Sequence, residues 1–155
     1  MGRRWIGSVV AAGVAAATMI AAAPAAAAGT IDKVGKVRDS GCAGRMIDHK
    51  AIIGETGRRL GQVELWYSSR NGGENCVITR SSVGRAEMIA SLEVDRDGNK
   101  RWSSGDVRSA DHGVYNSYAG GAYRTGTNRH CVRFQGLIWR SGDSGSAVSR
   151  WSHCS

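Results

Sequence analysis

The sequence predicts an all-β fold, a single small β-sandwich or barrel of about seven to eight short strands held by two disulfides. Three observations predict it. Short runs rich in Val, Ile, Leu and aromatics alternate with polar residues at period two. Turn-forming Gly, Asn, Asp and Ser separate these runs at close spacing, and no stretch after the first 28 residues sustains a helical period for three turns. Four cysteines, Cys42, Cys76, Cys131 and Cys154, are spread along the remaining chain.

Residues 1–28 read as a secretory signal peptide. Arg3 and Arg4 form a positive start, Trp5 to Ala23 is apolar and Ala-rich, and Ala26-Ala27-Ala28 before Gly29 offers a small-residue cleavage site. The run is long enough to span a bilayer. Alanine is only weakly lipophilic, however, and small residues cluster where a peptidase needs them. Cleavage would leave about 127 residues and no transmembrane segment, enough for one domain with a modest core. Residues 29–41, polar and small, are expected as a poorly ordered lead-in until Cys42 pins them, and 42–155 as the β domain.

Within that domain, Arg45 to Ile53 is expected as a strand and Gly54 to Gly61 as a loop. Val63, Leu65 and Tyr67 then alternate with Gln62, Glu64, Trp66 and Ser68, and Asn71-Gly72-Gly73 supplies the backbone freedom for a reversal. This predicts a hairpin over Gln62 to Arg80 with Cys76 on the return strand. Met88, Ala90, Leu92 and Val94 are expected inward, with Ile89, Ser91, Glu93 and Asp95 outward. After a turn at Asp95–Asn99, a short strand is expected around Trp102. Two pieces follow about a bend at Gly120-Gly121. Cys131 to Trp139 is a strand with a bulge at Gly136, and Ala147 to Cys154 a last strand. The nine aromatic residues other than Trp5, from Trp66 to Trp151, are expected chiefly as core.

An even number of cysteines in an exported chain, with long gaps and no C-x-x-C pair, favours two disulfides over metal ligation. Four cysteines allow three pairings. The preferred pairing joins Cys76 to Cys131, between two interior strands, and Cys42 to Cys154, near the ends of the domain. Each long loop so closed would contribute about 4–5 kcal/mol in the chain-entropy model.

The chain has 21 Lys and Arg against 13 Asp and Glu, a net charge of +8; without Arg3 and Arg4 this becomes +6. The basic residues are mostly scattered arginines. Such a surface favours solubility and salt-sensitive adhesion to polyanionic envelope polymers. No recognition motif or basic cluster points to specific nucleic-acid binding.

Three patterns suggest chemistry. Gly142-Asp143-Ser144-Gly145 resembles the nucleophile loop of chymotrypsin-like proteases, where serine needs a histidine base, an orienting aspartate and an oxyanion hole. His49, His112 and His130 precede Ser144, but the sequence around that family's histidine is absent, and about eleven residues after Ser144 are too few for the specificity pocket. A plain Gly/Ser/Asp turn explains the loop. Asp95-x-Asp97-x-Asn99 with Asp106 at the twelfth position has calcium-loop spacing, yet Lys100 stands where that loop needs glycine. A hairpin turn explains it instead. His49, His112, His130 and His153 lack metal-ligand spacing, and Glu64, Glu87 and Glu93 suggest no glycosidase pair. An exposed subset of the aromatics could stack on sugar rings. No catalytic residue, metal or cofactor is assigned.

The ordered set Gly41-Cys42, Val63-Glu64-Leu65-Trp66-Tyr67, Asn75-Cys76-Val77-Ile78-Thr79, Trp102, Tyr115-x-x-Tyr118-Ala119-Gly120, Tyr123, Cys131-Val132-Arg133-Phe134-x-Gly136 and His153-Cys154 resembles the spore-associated protein A family of actinomycetes. That family's Tyr-Ala-Gly-Pro-Val-Tyr run reads here as Tyr118-Ala119-Gly120-Gly121-Ala122-Tyr123, without the proline. The resemblance implies a secreted β-domain associated with the spore or cell surface. It carries no catalytic residues. The expected function is therefore non-enzymatic, structural or adhesive. The alternatives are an extracellular hydrolase with Ser144 as nucleophile or a carbohydrate-binding module.

Overall fold

A computed structural model describes residues 32–154; the leader expected at 1–28 lies outside them. Ten strands follow one another: β1 (Asp32–Val34), β2 (Lys36–Val37), β3 (Arg45–Ile53), β4 (Arg59–Ser68), β5 (Glu74–Ser81), β6 (Ala86–Val94), β7 (Val107–Tyr115), β8 (Tyr118–Thr125), β9 (Val132–Arg140) and β10 (Asp143–Val148). They form two antiparallel five-stranded sheets. The first runs β1-β7-β6-β9-β10 and the second β2-β8-β5-β4-β3. The all-β expectation holds, and two layers define it as a sandwich. No helix among the described residues is long and apolar enough to cross a membrane.

Period-two alternation places the core as read from sequence. Val63 and Leu65 of β4 and Val77 of β5 face Met88, Ala90, Leu92 and Val94 of β6 and Val132, Phe134 and Ile138 of β9. Phe134 is the fully buried aromatic of the described core and Tyr115 packs half-buried against it, which corrects the expectation that aromatics chiefly fill it: Trp102 is 49% and Trp139 51% exposed. Gly136 also differs from expectation. It sits in unbroken register with Ala90 and Ala147, so it is no bulge. A Cβ there would lie 2.6 Å from both Val63 Cβ and Thr79 Oγ1 of the facing sheet. Close approach of the layers requires the glycine.

Several boundaries move. The lead-in is tied down from Asp32, since β1 pairs with β7 in one sheet and β2 with β8 in the other. No strand forms around Trp102, which belongs to the loop between β6 and β7. The last strand begins earlier than expected, because Asp143 to Val148 pairs with β9 and the segment beyond it is a tail. The bend at Gly120-Gly121 is a bulge within one strand, opposite a register shift between Val77 and Ile78.

The disulfides are Cys42–Cys76 and Cys131–Cys154, not the pairing preferred from sequence. The reason is layering. Cys76 lies on β5 of the second sheet, directly across from Trp66 and Tyr123, and faces away from the core residue Val77. Cys131 precedes β9 of the first sheet. The loop before β3 folds over the outer face of the second sheet and delivers Cys42 there. A Cβ on Gly121 would meet Gly41 O at 2.7 Å and Cys76 Sγ at 2.8 Å, so the bulged glycine leaves room for this cover.

Candidate functional site

One end of the sandwich gathers the C-terminal ends of β4, β6 and β8 and the N-terminal ends of β3, β5, β7 and β9. The two sheets are joined there by Arg96, whose guanidinium donates to the carbonyls of Gly126 at 2.8 Å and Thr125 at 3.3 Å. The C-terminal tail returns to the same end: Ser152 pairs with Val132, and Cys154 is bonded to Cys131. His153 Nε2 stands 3.2 Å from Asp48 Oδ2, closing the tail against β3.

A groove of about 550 Å³ opens at this end, lined by Arg45, Met46, Ile47, Tyr67, Asn75, Thr127 and His153. This size is ordinary for a small-molecule site. Its floor follows from register. Arg45 of β3 lies opposite Tyr67 of β4, which lies opposite Asn75 of β5, which lies opposite Arg124 of β8. Residues directly opposite each other share a face of the sheet, and Asn75, Val77 and Thr79 share the core-facing phase of β5. The row therefore points between the layers, where hydrophobic packing gives way to an open mouth.

The loops frame this row by backbone bonding. Gly126, Thr127 and Asn128 donate to the carbonyls of Asn71, Gly73 and Gly72 at 3.1, 3.1 and 3.0 Å. Gly73, at φ +89°, has to be glycine, since a Cβ there would strike Asn128. So held, Asn128 Oδ1 accepts the Tyr67 hydroxyl at 2.9 Å and Thr127 Oγ1 accepts from Asn75 Nδ2 at 2.8 Å.

Polar satisfaction then stops. Asn75 is 3% exposed, and its Oδ1 has no partner. The Thr127 hydroxyl can accept or donate, so turning the amide over leaves a donor unpaired instead of an acceptor. An unmet buried amide group costs about 1–3 kcal/mol. Positive charge is also unmatched here. The Arg45 guanidinium has no partner among the described residues. Arg124 donates to the Arg108 carbonyl but meets no carboxylate, and its buried Nε is unpaired. Burial, and then the nearby Arg96 charge, lower the Arg124 pKa from its ordinary value.

The residues singled out from sequence are dispersed. Ser144 lies on β10, and its hydroxyl donates to Glu55 Oε1 at 2.9 Å. Asp143 accepts from Thr56 Oγ1 at 2.5 Å. Both therefore clasp the β3–β4 loop at the end of the sandwich opposite the groove. The histidines are elsewhere: His49 is exposed on β3, His112 Nε2 meets Glu87 Oε1 at 2.7 Å, and His130 Nδ1 donates to the Asp95 carbonyl at 3.1 Å.

Asp95, Asp97 and Asp106 do converge, with carboxylate oxygens within 4.8 Å of one another. The loop's own N–H groups account for this. Asp95 accepts from Gly98 and Lys100, each at 2.8 Å, and Asp106 from Arg96 at 2.9 Å and Ser103 at 2.7 Å. Glu64 lies on the outer face of the second sheet, whereas Glu87 and Glu93 lie on that of the first, so no acid–base pair forms among them. Trp102 and Trp139 fall at opposite ends and make no common stacking face.

Sequence reasoning placed Tyr67 on a strand and Asn75 in the hairpin just before Cys76, and missed the groove. One signal was present: Asn75 is a polar residue on the inward phase shared by Val77 and Thr79, two positions after a turn. Comparison with family models, with curated proteins and with solved structures gave no match to this chain.

Proposed function

We propose that the chain is an exported, non-enzymatic surface protein that adheres to envelope or spore-surface polymers through the stapled end of its sandwich. The observation that carries this reading is the unmatched positive charge and the orphaned amide at that end. The guanidinium groups of Arg45, Arg124 and Arg96 meet no carboxylate there, while Asn75 presents an unused hydrogen-bonding group. Both disulfides lie near the same end, which supports a role outside the reducing cytosol. The resemblance to the spore-associated protein A family agrees with this assignment.

Basic and aromatic residues also combine on the neighbouring outer face of the second sheet. Arg38 lies 4.0 Å over the Tyr123 ring and Arg80 5.6 Å from that of Tyr118. The Ser144 hydrolase alternative called for a histidine base; the hydroxyl donates instead to the Glu55 carboxylate, far along the strands from the groove.

The test is release from the producing cells. Electrostatic attachment predicts that about 1 M salt, which shortens the screening length to about 3 Å, strips the protein into the wash. Full retention at that salt would remove the mechanism.

A further inference from the structure

We propose that the groove takes the free carboxyl terminus of a peptide, with the carboxylate on Arg45 and the terminal residue's N–H directed to Asn75. The proposal rests on the surface-binding reading and names its ligand class. It follows from what the groove leaves unused. Arg45 supplies a guanidinium without an internal anion, and such a fork pairs well with a carboxylate. Asn75 supplies one amide atom without a partner. The two belong to one row, separated only by Tyr67, and strands two apart lie about 10 Å from each other. An arginine side chain bridges most of that distance, so its head and the Asn75 amide can serve one terminal residue. Asn75 lines the groove while its Oδ1 is buried, so contact requires the amide to rotate.

The remaining lining selects a peptide over a sugar acid. Tyr67, Thr127 and His153 already use their polar groups on Asn128, Asn75 and Asp48. A polyhydroxylated ring would find few free partners. Ile47, packed against the core, instead offers an apolar wall for a side chain. Unmatched Arg124, next in the row, adds positive potential behind the site.

Three probes test the proposal on the exported protein: N-acetyl-Gly-Leu, its C-terminal amide, and galacturonic acid, each titrated by amide-resolved NMR. The free acid should give saturable shifts centred on Tyr67, Asn75 and Thr127. The amide should bind at least about tenfold more weakly, since it removes the charge that Arg45 meets. Arg45→Gln, an exposed change that leaves the fold intact, should weaken the free acid about tenfold or more. Arg70→Gln, outside the groove, should not. No saturable shift, equal binding of acid and amide, tighter binding of galacturonate, or an unaffected Arg45→Gln protein would each overturn it. Should these fail while salt still releases the protein from cells, the peptide site falls and the adhesive reading stands. Peptide binding as described without salt release would support the peptide site and remove electrostatic adhesion.

Discussion

Glu64 and Arg80 meet at 2.9 Å on the outer face of the second sheet, with the carboxylate only 5% exposed. The same carboxylate accepts from Gln62 Nε2 at 2.8 Å and Trp66 Nε1 at 3.0 Å. A buried anion is tolerated because three donors replace its water. Arg80→Leu should cost about 1–2 kcal/mol, limited by solvent around the half-exposed arginine. Urea unfolding followed by tryptophan fluorescence would measure it. Adding Glu64→Leu should recover part of the loss, because no stranded charge remains.

The disulfide pairing makes a direct prediction. Digestion without reduction should yield one peptide pair joining Cys42 to Cys76 and another joining Cys131 to Cys154, read by mass spectrometry. The sequence separations of 34 and 23 close shorter loops than the pairing preferred from sequence. Removing either bridge by paired Cys→Ser change should cost about 3–4 kcal/mol in the chain-entropy model.

Gly136→Ala should destabilise the protein by about 1–3 kcal/mol, because the added methyl must displace Val63 or Thr79 in the facing sheet. Gly57→Ala is the contrast. A Cβ there meets nothing within 4 Å, so only its φ of +81° opposes the change, at about 1 kcal/mol. Thermal unfolding of the two variants side by side would separate steric from backbone cost.

Asp143 carries a pH signature. Bonds from Thr56, first its hydroxyl, then backbone N–H groups, hold its carboxyl below the ordinary 3.8. A folded pKa below the unfolded one means a contribution present above 3.8 and lost as pH falls through the lower folded value. Asp143→Asn should therefore flatten the fall in Tm below about pH 4 while leaving its slope above pH 5 unchanged. Asp97 is lowered similarly by the Asn99 backbone N–H and the Ser103 hydroxyl, so the effect of Asp143 alone should be partial. A Tm profile identical to that of the parent chain from pH 5 to about pH 2 would contradict the assignment.

Local sequence pattern was enough for the fold class, the hairpin with Cys76 on its return strand, and the inward phase of Met88, Ala90, Leu92 and Val94. Those features are local: a two-residue period and a glycine-bearing turn need only neighbouring residues to be expressed. The disulfide partners, the role of Gly136 and the groove needed the tertiary structure. Cys42 reaches Cys76 because a loop folds across a sheet face, and Gly136 is compelled by a strand 73 positions earlier that carries Val63. Arg45, Tyr67 and Asn75 become one row only through strand register, which cross-strand packing sets. Alternation tells which way a side chain points. Only the docking of one layer on the other tells what it meets.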